Sequence, residues 1–150
     1  MRTLYHLWLN PFSRKVRIVL AEKKLKFAMK VEQVWEPRPE YLALNPAGEV
    51  PVLIDPDNTV LSDSAAICEY LEEKVSEPNL MGRKIHERAE VRRLVAWFDR
   101  KFDREVTDLL VNEKVMKRFL GLGEPDSRTI RAAQKNIHNH LNYRIHFVNV

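Results

Sequence analysis

The order strand, helix, strand at the start of the chain constrains the fold more than any other feature. Residues 2 to 9 carry apolar side chains on both faces, as a buried strand does. Asn10 and Pro11 end that run, and apolar residues then recur at helical spacing from 12 to 20. Residues 27 to 31 alternate like a second strand. A helix of about ten residues between two strands favours parallel pairing, so we predict a βαβ unit.

A hairpin and a helix are predicted next, after an irregular proline-rich connection with one helical turn near residues 40 to 44. Residues 50 to 54 and 59 to 61 flank the turn Asp55-Pro56-Asp57-Asn58, which is typical of a β-hairpin. Ser62, Asp63 and Ser64 are helix-capping residues, and an apolar stripe at helical spacing follows them to residue 75. The predicted order of this part is ββα.

The second half of the chain is predicted to be helical. Residues 83 to 120 contain neither Gly nor Pro and keep apolar side chains three and four residues apart, with a break expected near Thr107 to Asn112. Asp126 is predicted to cap a second helix that carries apolar residues to 145. We expect residues 146 to 150 to lie outside that helix.

Charge and cysteine content exclude several classes of protein. Residues 1 to 80 hold 10 basic and 12 acidic side chains, so the net charge of +4 comes from the second half. There the two signs are interspersed, which favours solvated helix faces over a nucleic-acid surface. The single cysteine excludes an internal disulfide, a cysteine-based zinc site and a CxxC motif. With no signal peptide and no apolar stretch of about 20 residues, we expect a cytoplasmic protein without a membrane span.

Common catalytic motifs are absent from the sequence, among them the P-loop, the GxSxG elbow, HExxH and the EF-hand loop. His138, His140 and His146 suggest a metal site at first sight. Two residues of a helix that are two positions apart point in different directions, however. We therefore predict solvated histidines and no metal site.

The residues best suited to bind a ligand lie at two predicted helix N-termini. Asn10 and Ser13 stand at the first and Asp63 and Ser64 at the second, and unpaired N–H groups there favour an anion. The Asp63 carboxylate suits an ammonium group. Between them, the backbone at Val50 suits an extended peptide if the next peptide bond is cis. Ordinary caps and a trans bond are the alternative interpretation.

Three segments together resemble the N-terminal half of a soluble glutathione S-transferase: residues 9 to 20, 45 to 53 and 62 to 71. The resemblance implies an α/β thioredoxin-like domain of order βαβ-ββα with a cis-Pro51, over residues 1 to 76. It further implies a linker at 77 to 82 and an all-helical domain at 83 to 150. Members of this family are usually longer, so we expect that helical domain to be incomplete through truncation.

The resemblance also implies the residues that hold glutathione. Val50, beside Pro51, holds the cysteinyl part through its backbone, and Asp63 and Ser64 bind the γ-glutamyl end. Arg38 is the candidate for the glycyl carboxylate, the alternative being a merely exposed side chain.

The implied chemistry is attack by a glutathione thiolate on a hydrophobic electrophile. Asn10 occupies the position of the activating Ser or Cys in the family, and Ser13 is the substitute hydrogen-bond donor. Tyr5 and Cys68 are interpreted as core residues. Trp35 is interpreted as lining the glutathione site or as anchoring a partner protein.

Two hypotheses on function stay open, and so does the question of whether the chain is an enzyme. The first is a cytoplasmic, homodimeric glutathione transferase with glutathione as co-substrate and no metal. The second is a binding protein without that activity, because residues 34 to 36 and 88 to 102 resemble family members that associate with the bacterial division protein FtsZ. Nucleic acid is disfavoured as a partner by the mixed charges, and no membrane partner is expected.

Overall fold

The computed structural model describes residues 1 to 147, with the side chains of residues 1 to 143. The chain forms two compact units, Met1–Arg88 and a second that begins at Ala89. The domain limits predicted above, 1 to 76 and 83 to 150 with a linker between them, stay a prediction.

The first unit contains a four-stranded sheet. Its elements follow one another as β1 (Arg2–His6), α1 (Pro11–Glu22), β2 (Phe27–Val31), α2 (Pro39–Leu44), β3 (Val52–Ile54), β4 (Val60–Ser62) and α3 (Ser64–Lys74). The spatial order is β2-β1-β3-β4, with β1 parallel to β2, β3 antiparallel to β1, and β4 antiparallel to β3. This topology confirms the predicted βαβ-ββα order of a thioredoxin-like domain.

Two predicted strands are shorter in the structure. β1 ends at His6 because the chain turns there, with the Asn10 N–H donating to the Leu7 carbonyl at 3.3 Å. β3 begins at Val52, after the Val50–Pro51 peptide bond, which is cis as predicted.

Apolar side chains cover both faces of the sheet, as the sequence of β1 predicts. One face packs against α1 and α3, and its buried residues are Leu4, Val16, Leu20, Leu53, Ile67 and Leu71. The other packs against α2 through Tyr41, Val50 and Val52. The site described below therefore rests on a sheet whose two faces are both covered.

A buried lysine joins α1 to the segment after α3. Lys23, at the end of α1, is 5% exposed. Its Nζ lies 2.7 Å from Glu72 Oε2 and donates to the carbonyls of Val75, at 2.6 Å, and Pro78, at 3.0 Å. The Leu80 N–H donates to the other Glu72 oxygen at 3.1 Å. These bonds satisfy both charges away from water, as a buried ion pair requires.

Helix continues without interruption from Ile85 to Phe119, so the predicted break near Thr107 to Asn112 is wrong. The run consists of α4 (Ile85–Ala96), a π-helical segment (Trp97–Thr107), α5 (Asp108–Val111), a second π-helical segment (Asn112–Met116) and α6 (Lys117–Phe119). Without Gly or Pro to end it, the helix changes its hydrogen-bonding period instead of breaking. α7 (Ser127–Phe147) follows, capped by Asp126 as predicted, through the Arg128 N–H at 2.9 Å. It includes residues 146 and 147, contrary to expectation, and 148 to 150 lie outside the described residues.

His140 is buried in the second unit, which corrects its prediction as a solvated side chain. It is 4% exposed, and its Nδ1 accepts a hydrogen bond from the Trp97 indole at 3.0 Å. The ring proton therefore lies on Nε2, which is 3.0 Å from Glu105 Oε2. The periodicity of α7 does not show this, because both partners come from the π-helical segment. The side chain of His146 lies outside the described residues.

Among the described residues, none of the helices has both the length and the apolar character needed to cross a membrane.

Candidate functional site

The strand register brings the predicted site residues to one end of the sheet. Tyr5 pairs with Val52, and Val52 pairs with Ser62. The chain leaving β1 toward Asn10, the chain entering β3 from Val50 and the start of α3 are therefore neighbours. β2 is parallel to β1 and also ends here.

Asn10 caps α1. Its Oδ1 accepts the Ser13 N–H at 2.7 Å, and Pro11 follows as the first helical residue. Because the oxygen of the amide is fixed on the helix, the Nδ2 hydrogens are the part that remains for another partner. A primary amide in this orientation is a neutral donor, the kind of group that stabilises a thiolate.

Ser13 is fully buried, with 0% of its surface exposed. Its Oγ lies 3.4 Å from the Leu7 N–H, which it accepts. The hydroxyl thus fastens the turn between β1 and α1. Its predicted role as a donor to a thiol stays a prediction, and this position does not favour it, because a bound thiol would have to reach the interior.

Val50 presents backbone groups at the start of β3. Within residues 1 to 147, neither its N–H nor its C=O has a hydrogen-bond partner. The preceding carbonyl, of Glu49, accepts from the Tyr41 hydroxyl at 2.7 Å and from the Asn45 amide at 2.8 Å. Burial raises the pKa of Tyr41, so its hydroxyl stays protonated as the donor. The backbone at Val50, a residue that is 7% exposed, is therefore held in place by side chains while its own polar groups are unpaired.

Asp63 caps α3 from a strained backbone conformation. Its φ is 69° with a ψ of 127°, a combination outside the left-handed helical region that a non-glycine residue adopts rarely. The exposed carboxylate accepts the N–H groups of Ala65, at 2.7 Å, and Ala66, at 3.1 Å, through one oxygen, Oδ1. Ser64, at the first helical position, is buried. The second oxygen of Asp63 gives this end of the sheet an exposed negative charge.

Arg38 is bound to Glu32. Its Nε donates to Oε1 at 3.1 Å and its Nη2 to Oε2 at 2.5 Å, a bidentate pair with a carboxylate that is 2% exposed. The hydrogen bonds with Glu32 hold the pKa of Arg38 above its usual value. The predicted contact of Arg38 with a glycyl carboxylate would therefore have to compete with Glu32. Both residues line a cavity beside Val31.

Other predicted residues serve the core. Tyr5 packs against Tyr41 with ring centroids 5.4 Å apart, and Cys68 is partly buried against the core between the sheet, α1 and α3. Trp35 lies in a turn and is half-buried. Within the part of the chain that is described, His, Cys, Asp and Glu side chains do not gather into a group of three suited to a metal ion.

Tyr41 and Glu32 support the site, and sequence analysis did not identify either. Tyr41 and Asn45 are four residues apart, in a short helix and at its C-cap, so they lie on the same side of that helix. This spacing is the signal in the sequence that points to Tyr41. Glu32 has no comparable signal, because only the folded chain shows that its carboxylate is buried against Arg38.

Comparison with known proteins identifies the family of the first part of the chain and relatives along most of its length. Residues 11 to 74 match the family "Glutathione S-transferase, N-terminal domain". A protein of Caulobacter vibrioides named FtsZ-localized protein A is 46% identical over 145 residues, which cover 95% of this chain and 64% of that protein.

Solved structures agree with the sequence matches. A glutathione S-transferase from Rhodospirillum rubrum F11 is 56% identical, with a TM-score of 0.92 over 95% of this chain and 64% of that one. One from Methylobacillus flagellatus, solved with glutathione bound, is 30% identical, with a TM-score of 0.71 over 96% of this chain and 68% of that one. The chain thus spans about two thirds of the length of these relatives. It belongs to the glutathione S-transferase family.

Proposed function

We propose that the chain binds glutathione at the end of the sheet formed by Asn10, Val50 and Asp63, and conjugates it to electrophilic small molecules. The observation that carries this proposal is the Val50 backbone, which is held in place with its own polar groups unpaired, next to the strained and charged Asp63 cap. An extended peptide has backbone groups that suit Val50. Its free ammonium group suits the outer oxygen of Asp63, and its γ-glutamyl carboxylate suits the N-terminus of α3.

In the proposed reaction, the sulfur of glutathione forms a bond to an electrophilic carbon as a leaving group departs with its electron pair. The thiol proton passes to solvent. A free thiol has a pKa of about 8.5, so only a few per cent is ionised at neutral pH, and any donor that stabilises the thiolate raises the rate. The Nδ2 group of Asn10 is the donor that we assign to this task.

Titration calorimetry with reduced glutathione tests the binding site. Asp63→Asn keeps an oxygen for the Ala65 N–H and removes the negative charge, so we expect the fold to persist and glutathione to bind about 10 to 100 times more weakly. Asp126→Asn is the control, since Asp126 also accepts the N–H two residues ahead at the start of a helix, in the other unit. Equal affinity of Asp63→Asn and the unsubstituted chain would contradict the proposed site.

Conjugation of glutathione to a reactive aryl halide tests the role of Asn10. Asn10→Ser retains a capping oxygen and introduces a hydroxyl donor, so we expect faster conjugation. Asn10→Asp retains the cap and replaces the amide donor with a negative charge, so we expect slower conjugation with little change in stability. If both variants react at the rate of the unsubstituted chain, Asn10 does not contact the thiol.

A second function is favoured by one comparison. The relative named FtsZ-localized protein A is similar to this chain over 145 residues, beyond the glutathione-binding half. We propose on this ground that the chain associates with FtsZ. Co-sedimentation with FtsZ polymers formed with GTP, against unpolymerised FtsZ with GDP, tests the association. A chain that stays in the supernatant with polymers present would remove this function and leave glutathione binding unaffected.

A homodimer is proposed from family membership alone, and sedimentation equilibrium measures it directly.

A further inference from the structure

Positive charge is concentrated at the start of the first unit. Residues 2 to 31 hold eight basic side chains and one acidic one, whereas residues 32 to 80 hold two basic and eleven acidic ones. Arg2 and Lys23 are paired in the interior with Asp55 and Glu72.

Five other cations of this segment form no ion pair with a carboxylate anywhere in the described part of the chain. They are Arg14, Arg17, Lys24, Lys26 and Lys30. Three of these lie in or just before β2. The charge that faces solvent along β2 is therefore positive and not neutralised by the protein itself.

β2 is an edge strand with one unpaired side. It pairs with β1 along its whole length and lies at the end of the sheet order. Just after the strand, the Glu32 N–H donates to the His6 carbonyl at 3.1 Å and so points toward β1. Backbone groups in a parallel strand alternate in direction with a period of two, so those of Met29 and Val31 point away from β1. This side offers hydrogen bonds to a further strand.

The side chains of β2 separate by face. Phe27, Met29 and Val31 lie on one face, and Met29 and Val31 are 46% and 54% exposed. Lys26, just before the strand, and Lys30 lie on the other. One face of the edge is thus apolar and the other cationic.

We propose that the outer edge of β2 binds an extended acidic peptide segment of a partner protein as an added strand. The segment that fits alternates apolar residues, against Met29 and Val31, with carboxylates, against Lys26 and Lys30. Main-chain hydrogen bonds to Met29 and Val31 supply the pairing, and side chains of the two faces supply selectivity. A second copy of β2 does not fit, since it would bring lysines against lysines.

A labelled peptide of about eight residues in which glutamate and valine alternate is the probe, with its lysine and valine counterpart as control. Fluorescence anisotropy at low salt is expected to show binding of the acidic peptide only, weakening as salt is added. Hydrogen exchange measured by NMR is expected to show slower exchange of the Met29 and Val31 amides in the complex. Equal binding of both peptides, or no slowing at these two amides, would overturn the proposal.

Charge reversal locates the binding surface. The double variant Lys26→Glu/Lys30→Glu is expected to bind the acidic peptide at least about tenfold more weakly. The double variant Arg14→Glu/Lys24→Glu makes the same change in charge at two exposed residues outside the strand and is expected to reduce affinity much less. An equal loss in both, or binding of the chain to anionic lipid vesicles in preference to the peptide, would show a cationic surface that binds anions in general, and would overturn the strand-addition site.

Discussion

The buried ion pair of Lys23 and Glu72 makes a strong prediction about stability. The Lys23→Met substitution leaves an uncompensated carboxylate whose side chain is 4% exposed, and it removes the donor to the carbonyls of Val75 and Pro78. Breaking a buried pair by removing one partner costs about 3 to 5 kcal/mol. We therefore expect the free energy of unfolding of the first unit to fall by about that amount, a large fraction of the stability of a small domain.

A second substitution separates the cost of the buried unpaired charge from the rest of this loss of stability. Glu72→Gln keeps an acceptor for the Leu80 N–H and removes the charge. The double variant Lys23→Met/Glu72→Gln therefore lacks the buried unpaired carboxylate, and we expect it to recover about 1 to 3 kcal/mol of the loss.

Native-state hydrogen exchange of the slowest amides in β1 measures the opening free energy of the first unit by itself. Arg83→Met is the control, because Arg83 and its partner Glu77 have side chains 73% and 65% exposed, and we expect almost no change. A loss below about 1 kcal/mol in Lys23→Met, or a double variant as unstable as the sum of the single ones, would refute the reasoning.

Three further predictions concern other buried or strained residues. Burial and a nearby cation lower the pKa of His6. The native state therefore loses stability as pH falls below about 6.5 and keeps it above that pH. The urea midpoints of unfolding at pH 5.5 and pH 7.5 should differ less in His6→Phe than in the unsubstituted chain. Gly82→Ala should lower the melting temperature more than Gly121→Ala, because both have positive φ but only at Gly82 would a Cβ meet a neighbour, at 2.6 Å. His140→Leu should cost about 1 to 3 kcal/mol and change the emission of Trp97, whose indole N–H would lose its acceptor.

Local patterns account for the part of the fold that the sequence predicts. Alternating and helical periodicities depend on neighbouring residues, and they place β2, α1 and the βαβ-ββα order correctly. Caps are equally local, since Asn10, Asp63 and Asp126 each bond N–H groups two or three residues ahead. The resemblance to a family supplied the cis bond before Pro51, which no periodicity indicates.

Long-range partners account for what the sequence does not predict. Trp97 and His140 are 43 residues apart, and Lys23 and Pro78 are 55 apart. Such pairs depend on how elements pack, so His140 was wrongly predicted to be solvated. At the site, the buried Ser13 hydroxyl likewise depends on the turn that brings Leu7 over the start of α1.

The proposed glutathione site is tested most directly by an NMR titration of the full chain with reduced glutathione. We predict saturable shifts at millimolar or lower concentration that are largest for the amides of Val50, Ala65 and Ala66. The Asp63→Asn variant should need more glutathione to reach the same shifts. The absence of shifts in a folded chain, or shifts centred away from this end of the sheet, would contradict the proposed site.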